Sequence, residues 1–379
     1  MNISPAWRPL RRTLLALSGD ISGAFGDLGT LLPYVIAAIG LGGLAPGPLF
    51  LGFAAGYLLV ALLYRVPIAV QPMKALGAVV ITGGLTASET ALAGATIGLV
   101  LLALAATPLL GRAARALPQS VVTGLQAGLG LMLASLALEM MASNWWLAMP
   151  AMALLSLSWV WPRGPWALML ILAAVWLAPG DAQPLAASAS TLDEGVSLSA
   201  VASGVLAQLP LTLVNAVVVA AAVAHSLFPA STSRVSERRL AASSGLLNLL
   251  LAPLGAMPMC HGAGGMAAHY RFGARSWIAP VTIAVACALA ALQGEAVIAW
   301  LAAIPVPLVG ALLAFAGLEL IMGKRLFDAR PDCRPVIAVT AVATFFGSAL
   351  IGLATGLASE QLRRHLVRRR ARGVPHDRG

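Results

Sequence analysis

The sequence predicts an all-α polytopic membrane protein folded as a seven-plus-seven transmembrane inverted repeat, with two short half-helices each preceded by an extended strand. Three observations carry this expectation. Of 379 residues, 59% are hydrophobic and only 10% charged, with a mean hydropathy of +0.89, so the chain has too little polar surface to cover itself in water. Lysines and arginines gather in alternate short loops. A P-x4-P-M frame occurs once in each half.

The apolar runs, rich in Leu, Ala, Val and Gly, separate at turn residues and charges. In the first half they cover 21–41, 48–64, a shorter piece at 74–86, then 90–110, 118–140, 145–161 and 165–180. A polar, acidic, Ala/Ser-rich stretch runs from Asp181 to Ser199. The second half offers 200–228, 239–252, a Gly-rich piece at 261–272, then 276–292, 305–322 and 335–358. The last is long for one span of about 20 residues. Its middle, Phe346-Gly347-Ser348, can turn a short hairpin.

Charge placement favours that hairpin, because cytoplasmic loops collect Lys and Arg. With Arg8, Arg11 and Arg12 inside, the loops carrying Arg112 and Arg115, Arg163, Arg234 to Arg239, Arg271 and Arg275, and Lys324 to Arg334 all fall inside. The opposite loops carry Glu89, Asp181, Asp193, Glu194 and Glu295. Seven arginines between Arg363 and Arg378 return to the cytoplasm only if 335–358 crosses twice. Fourteen segments result, the last two short; thirteen is the alternative. The net charge of +10 is therefore a topology signal rather than a nucleic-acid footprint.

The repeat is visible in Pro67 to Ala78 and Pro253 to Gly264, which share the P-x4-P-M frame after leucine-rich runs opened by Gly56 and Gly245. Leu117-Pro118 with Gly124 echoes Ile304-Pro305 with Gly310, each opening a span that ends near a glutamate, Glu139 or Glu319. An odd number of segments separates the halves, so the copies are inverted. In secondary transporters, interrupted segments at matching positions mark the binding site. The proline pairs favour extended backbone before each short helix, and irregular backbone at membrane depth is tolerated only inside protein or against a cavity. Two helix N-termini then face each other near the midplane, each with free N–H groups and about half a positive charge. Such a pair suits an anion, and Gly262, Gly264 and Gly265 leave the second one bare.

Several other chemistries are excluded. Cys260, Cys287 and Cys333 have neither disulfide nor metal spacing, and adjacent Cys260 and His261 are too few for zinc. The stretch from Cys260 to Gly265 lacks the G-K-[ST] ending of a nucleotide loop. The N-terminal apolar run is too short for a cleaved signal and is interrupted by Asp20. No cofactor is called for, and clustered ionisable residues are too few for an enzyme.

Four stretches carry a resemblance: Phe25-Gly-Asp27-Leu-Gly29-Thr30-Leu-Leu-Pro33; Val70-Gln71-Pro72-Met73-Lys74-Ala75; Pro258 through Gly265, continuing to His269-Tyr270-Arg271-Phe272-Gly273-Ala274-Arg275; and Gln208-Leu-Pro210-Leu-Thr212-Leu-Val-Asn215. In these the chain resembles the molybdate transporter family, relatives of the SulP sulfate permeases. The resemblance implies a core domain and a gate domain, uptake of an oxyanion, and a possible homodimer through the gate. No regulatory domain of the sulfate-transporter type follows residue 358, which departs from the SulP permeases and fits the molybdate branch.

Within this frame Lys74 is the cation placed inside the core. It serves either as counter-charge to a bound dianion or as ion-pair partner of Asp27. Asp27 either carries a coupling proton or caps the broken first helix. His261 either donates to the anion or is a hydrogen-bonded packing histidine. Gln71, Thr30, Gln208, Thr212 and Asn215 are neutral donors near the same level, about half of them expected in the pocket, with Gly262 and Gly264 at the second helix start. Arg271 and Arg275 are explained by cytoplasmic placement, and structural roles are expected for Glu139, Glu319, His225 and Cys260.

The expected organisation is a first repeat over 1–195, a second over 196–360 and a basic cytoplasmic tail over 361–379. The expected function is secondary active import of molybdate, with tungstate or sulfate as further substrates, by proton-coupled alternating access across the cytoplasmic membrane, both termini cytoplasmic and lipid around the spans. Alternatives are a sulfate or bicarbonate permease and, from another class, an anion channel.

Overall fold

The computed structural model describes residues 7–160, 195–294 apart from Thr232, and 304–372 apart from Gly323, with a few isolated positions between them. The predicted seventh span at 165–180, the stretch after it, and Arg163, Asp193, Glu194 and Glu295 fall largely or wholly outside these residues. Among the described residues, five helical segments are long and apolar enough to cross a membrane. Their outward faces carry Leu58, Leu62, Leu99 and Leu138, all exposed, while Tyr34, Phe53, Tyr57 and Tyr64 are fully buried.

The first helix starts earlier than the sequence reading placed it. Helix α1 covers Trp7–Ala24, a tight turn Phe25–Asp27 follows, and α2 runs Leu28–Gly40. Pro33 lies inside α2 and withholds an N–H from the carbonyl one turn back, which favours a broken ladder around Gly29. Helix α3 is Pro46–Tyr64, strand β1 Ala69–Pro72, and half-helix α4 Lys74–Ile81. Then come α5 (Ala87–Ala106), closed at its start by a reciprocal Thr86–Glu89 cap, the short α6 (Leu109–Ala116), α7 (Gln119–Ala142) and α8 (Trp145–Val160).

The second half opens with α9 (Leu198–Leu211), which passes into wide π-type turns over Thr212–Val219 and then α10 (Ala220–Leu227). Pro210 removes a donor just before the widening. Helix α11 (Glu237–Leu251) leads to strand β2 (Met259–Gly262) and half-helix α12 (Ala263–Arg271). Helices α13 (Ile278–Leu292), α14 (Val306–Ile321), α15 (Lys324–Phe327), α16 (Arg334–Phe346) and α17 (Ala349–Arg372) complete the described chain. The 335–358 stretch is thus two helices broken at Gly347-Ser348. They run antiparallel, with Gly352 against Thr344 and Gly356 against Thr340. Helix α17 continues without a break past residue 360, so the basic segment is helical as far as Arg372.

Contacts repeat between the halves. Helix α3 packs on α13 as α11 packs on α5, and α8 packs on α14 as α16 packs on α7. Strands β1 and β2 pair antiparallel, Gln71 opposite Cys260 and Val70 opposite His261. The P-x4-P-M frame is not, however, the structural equivalence. The N-caps of the half-helices are Met73 and Gly262, whereas prolines 72 and 258 lie three residues closer together in sequence. In the first copy the strand precedes the frame's Met, and in the second it begins there.

The buried extended backbone is satisfied from both sides. Asn248 treats β2 as a neighbouring strand would: its Nδ2 donates to the Met259 carbonyl at 2.6 Å and its Oδ1 accepts the Met259 N–H at 2.8 Å. The Met73 N–H donates to the Pro258 carbonyl at 2.9 Å. These bonds let two strands persist at membrane depth.

Candidate functional site

A cavity of 1020 Å³ lies where the two half-helices begin. One wall holds Asp27, Gly29, Thr30, Gln71, Lys74, Asn215, Cys260 and Gly264; the other holds Thr123 and Gln126 of α7, Trp159 of α8, and Phe315 and Glu319 of α14. Ser22, Phe25, Arg271, Phe272, Met322 and Leu326 extend the lining toward the ends of their helices.

Strand parity decides which side chains face inward. Residues directly opposite in an antiparallel pair share a face, and neighbours along a strand take opposite faces. Gln71 and Cys260 therefore face the cavity together. Val70 and His261 turn the other way, toward α3 and α11. The His261 Nε2 lies 2.6 Å from Ser243 Oγ, which is 2.6 Å from Tyr64 Oη, and the ring meets Tyr64 edge-on. The imidazole is completely buried. Of the two roles open to His261, the geometry matches the packing one, and the residue offers the cavity its backbone.

Asp27 is buried, and both its oxygens accept from Gln71 Nε2, at 2.8 and 2.7 Å. Thr30 lies close to this carboxylate. No ion pair joins Asp27 to Lys74 among the described residues; the three ion pairs there all involve Arg363 or Arg364. Lys74, the first residue of α4, is half-buried and faces the cavity.

Each half-helix start is met by a side chain from the opposite half. Gln208 Oε1 accepts the N–H groups of Ala75 at 2.9 Å and Leu76 at 3.1 Å, while its Nε2 donates to Thr212 Oγ1 at 2.8 Å. The α4 terminus is therefore less bare than the sequence reading expected, and buried Thr212 is spent on Gln208 rather than facing the cavity. At the α12 start, a Cβ on Gly265 would overlap Asp27 Oδ2, and one on Gly262 would overlap the Gln71 amide. These two glycines are covered, and Gly264 alone of the three borders open space. Thr30 and Asn215 are half-buried in the cavity wall.

The sequence pattern of the family described as "Molybdate transporter of MFS superfamily" matches residues 19–133 and 200–320, well over half of the chain. The chain belongs to the molybdate transporter family. Arabidopsis thaliana Molybdate transporter 2 is 28% identical over 90% of this chain and 86% of its own length, and Molybdate transporter 1 of the same plant is 29% identical over 89% and 86%. In fold, this transporter is similar to the transmembrane domain of a cyanobacterial bicarbonate transporter, BicA, with a TM-score of 0.64 and 15% identity over 90% of this chain and 97% of that one. It is also similar to murine Slc26a9, described as an anion transporter in the inward-facing state, with a TM-score of 0.65 and 16% identity over 92% and 68%. Family and fold make the protein a multi-pass membrane transporter and not an enzyme.

Sequence reasoning passed over two acidic residues of this transporter. Asp20, noted only as an interruption, accepts from the N–H groups of Arg275 at 2.6 Å and Ser276 at 2.9 Å and from Ser276 Oγ at 2.6 Å, tying α1 to the turn before α13. Glu319, set beside Glu139 as a helix-end residue, is exposed in the cavity wall, whereas Glu139 is exposed on α7 away from it. No periodicity marked that difference, because both lie in uniformly apolar spans.

Proposed function

We propose that the protein imports molybdate across the cytoplasmic membrane by alternating access, with both termini cytoplasmic and Asp27 carrying a coupling proton. One observation carries the reading. Lys74 stands at the start of a half-helix, faces the cavity and has no ion-pair partner among the described residues, while Asp27 is held by Gln71. A lysine at membrane depth is costly without a partner, and an oxyanion outside the α4 start would supply one while also meeting the helix dipole. A neutral substrate would leave the charge unpaired.

Coupling follows from electrostatics. Each negative charge moved into a negative-inside cell costs about 2.3 kcal/mol per 100 mV, so a dianion requires a compensating cation. The cavity lies between the strands with their half-helices and the α7, α8 and α14 group, and rocking of one against the other would expose the site alternately. The tail of positive charge on α17 sets the orientation.

The test is uptake of labelled molybdate into proteoliposomes under an imposed pH gradient, with tungstate, sulfate and bicarbonate as competitors. Saturable, gradient-driven uptake blocked by tungstate is expected. Uptake of bicarbonate or sulfate without molybdate would replace the substrate, and unsaturable, uncoupled current would make the protein a channel.

A further inference from the structure

We propose that Glu319 is a second proton-carrying group of the transport site, so that the carrier loads its dianion together with two protons, one on Asp27 and one on Glu319. This rests on the reading of the cavity as an oxyanion site and extends it to stoichiometry. Glu319 sits on α14, on the wall opposite Asp27 and Lys74, and is exposed in the cavity although Gly317 and Leu320 beside it are buried. It makes no ion pair and accepts no hydrogen bond among the described residues, yet it lies within electrostatic reach of both Lys74 and Asp27. Such an acid is neither a cap nor half of a structural pair. It is a free carboxyl in the wall of an anion site.

Charge counting gives it a role. With Asp27 and Glu319 ionised against Lys74, this trio is net negative and repels an oxyanion; with both protonated, the Lys74 charge is uncompensated and attracts it. The other titratable groups facing this pair do not change the count. Tyr34 of α2 lies within electrostatic reach of Glu319, its buried hydroxyl without a hydrogen-bond partner among the described residues. His269 of α12, near Asp27, bonds the Gly23 carbonyl at 2.7 Å through Nδ1. Tyr57 of α3 is fully buried, and Arg271 lies exposed at the end of α12. A dianion with two protons crosses without net charge, which removes the penalty of the membrane potential.

The experiment uses the full chain, purified and reconstituted, with molybdate as the probe. Proton uptake on molybdate binding is read in weakly buffered detergent, and transport is read with and without an imposed inside-negative potential. Wild type is expected to take up two protons per molybdate and to be indifferent to potential. Glu319→Gln, whose amide stands for the protonated acid, should bind molybdate with one proton and be slowed by the potential, and Glu319→Asp should restore two. A Glu319→Gln protein that keeps two protons and indifference to potential overturns the inference. So does a folded one that binds no molybdate, and so does a wild type that takes up one proton. Wild-type protein that binds no molybdate but another anion overturns the substrate reading instead, and the same proton count with that anion then decides the role of Glu319.

Discussion

The side-chain carbonyl of Gln208 accepts the Ala75 N–H at 2.9 Å, so a residue of the second repeat completes the first turn of a half-helix belonging to the first. Asp27 stands in the matching place at the start of α12, one half reaching into the other. Gln208 is a neutral cap, whereas Asp27 is an acid lying beside Gly265 and held by Gln71. That asymmetry places the cavity's positive character at α4, where Lys74 lies, and its protonatable character at α12.

Gln208→Ala should leave two N–H groups of α4 without partners. The expected cost is about 1–3 kcal/mol, seen as a lower thermal midpoint in detergent, with weaker molybdate binding because the α4 start is displaced. An unchanged midpoint would mean that Gln208 contributes no cap.

Gly262→Ala and Gly265→Ala should each abolish uptake, since the added methyl overlaps Gln71 or Asp27, at an overpacking cost of about 1–3 kcal/mol. Gly264→Ala is the control. Nothing lies near its Cβ position, so the protein should fold normally, and any loss should be confined to substrate affinity. Thermal midpoints and uptake rates, measured together, separate the two cases.

Cys260 is half-exposed in the cavity, whereas Cys287 is buried and Cys333 lies in the turn before α16. In a Cys333→Ser background, a small polar thiol reagent should modify Cys260, and saturating molybdate should slow that modification several-fold. Equal rates with and without molybdate would place the anion elsewhere.

At the start of α7, Glu360 is held by Arg363 at 2.6 Å, Arg364 at 2.8 Å and Ser120 at 3.0 Å, and Arg363 also contacts Asp332. The Arg363 guanidinium foremost holds the Glu360 carboxyl down to about 2, from an ordinary 4.5. A depressed carboxyl stabilises the fold above its unfolded value and loses that contribution as pH falls. Wild type should therefore lose stability between about pH 4.5 and 2, and Glu360→Gln should be less stable at neutral pH, by about 1–3 kcal/mol, and flatter across that window. Parallel curves for the two proteins would contradict this.

Much of this architecture was legible because composition and charge act along the chain. Phe346-Gly347-Ser348 marked the break between α16 and α17, and alternate basic loops required it. Asp27, Gln71, Lys74 and Gly264 all lie in the stretches that carry the family resemblance, beside the interruptions of the apolar runs. What could not be read depends on register across the halves. His261 faces away from the cavity because of its pairing opposite Val70, and a slip of one residue would have turned it in. The P-x4-P-M frame suggested an equivalence displaced by three residues, since proline serves the strand before Lys74 in one copy and the turn before Met259 in the other. Glu319 was hidden because a helix apolar on all sides gives no clue to which residue meets water.

Lys74 carries the central claim, and equilibrium binding of molybdate to purified wild type and Lys74→Ala tests it most directly. The account predicts saturable binding by wild type and a loss on the order of a hundredfold in the variant, or about 2.8 kcal/mol, within the range for removing one partner of a desolvated charge pair. Equal affinities in a folded Lys74→Ala protein would contradict it, because the anion would then be held without the one lysine that, among the described residues, faces the cavity.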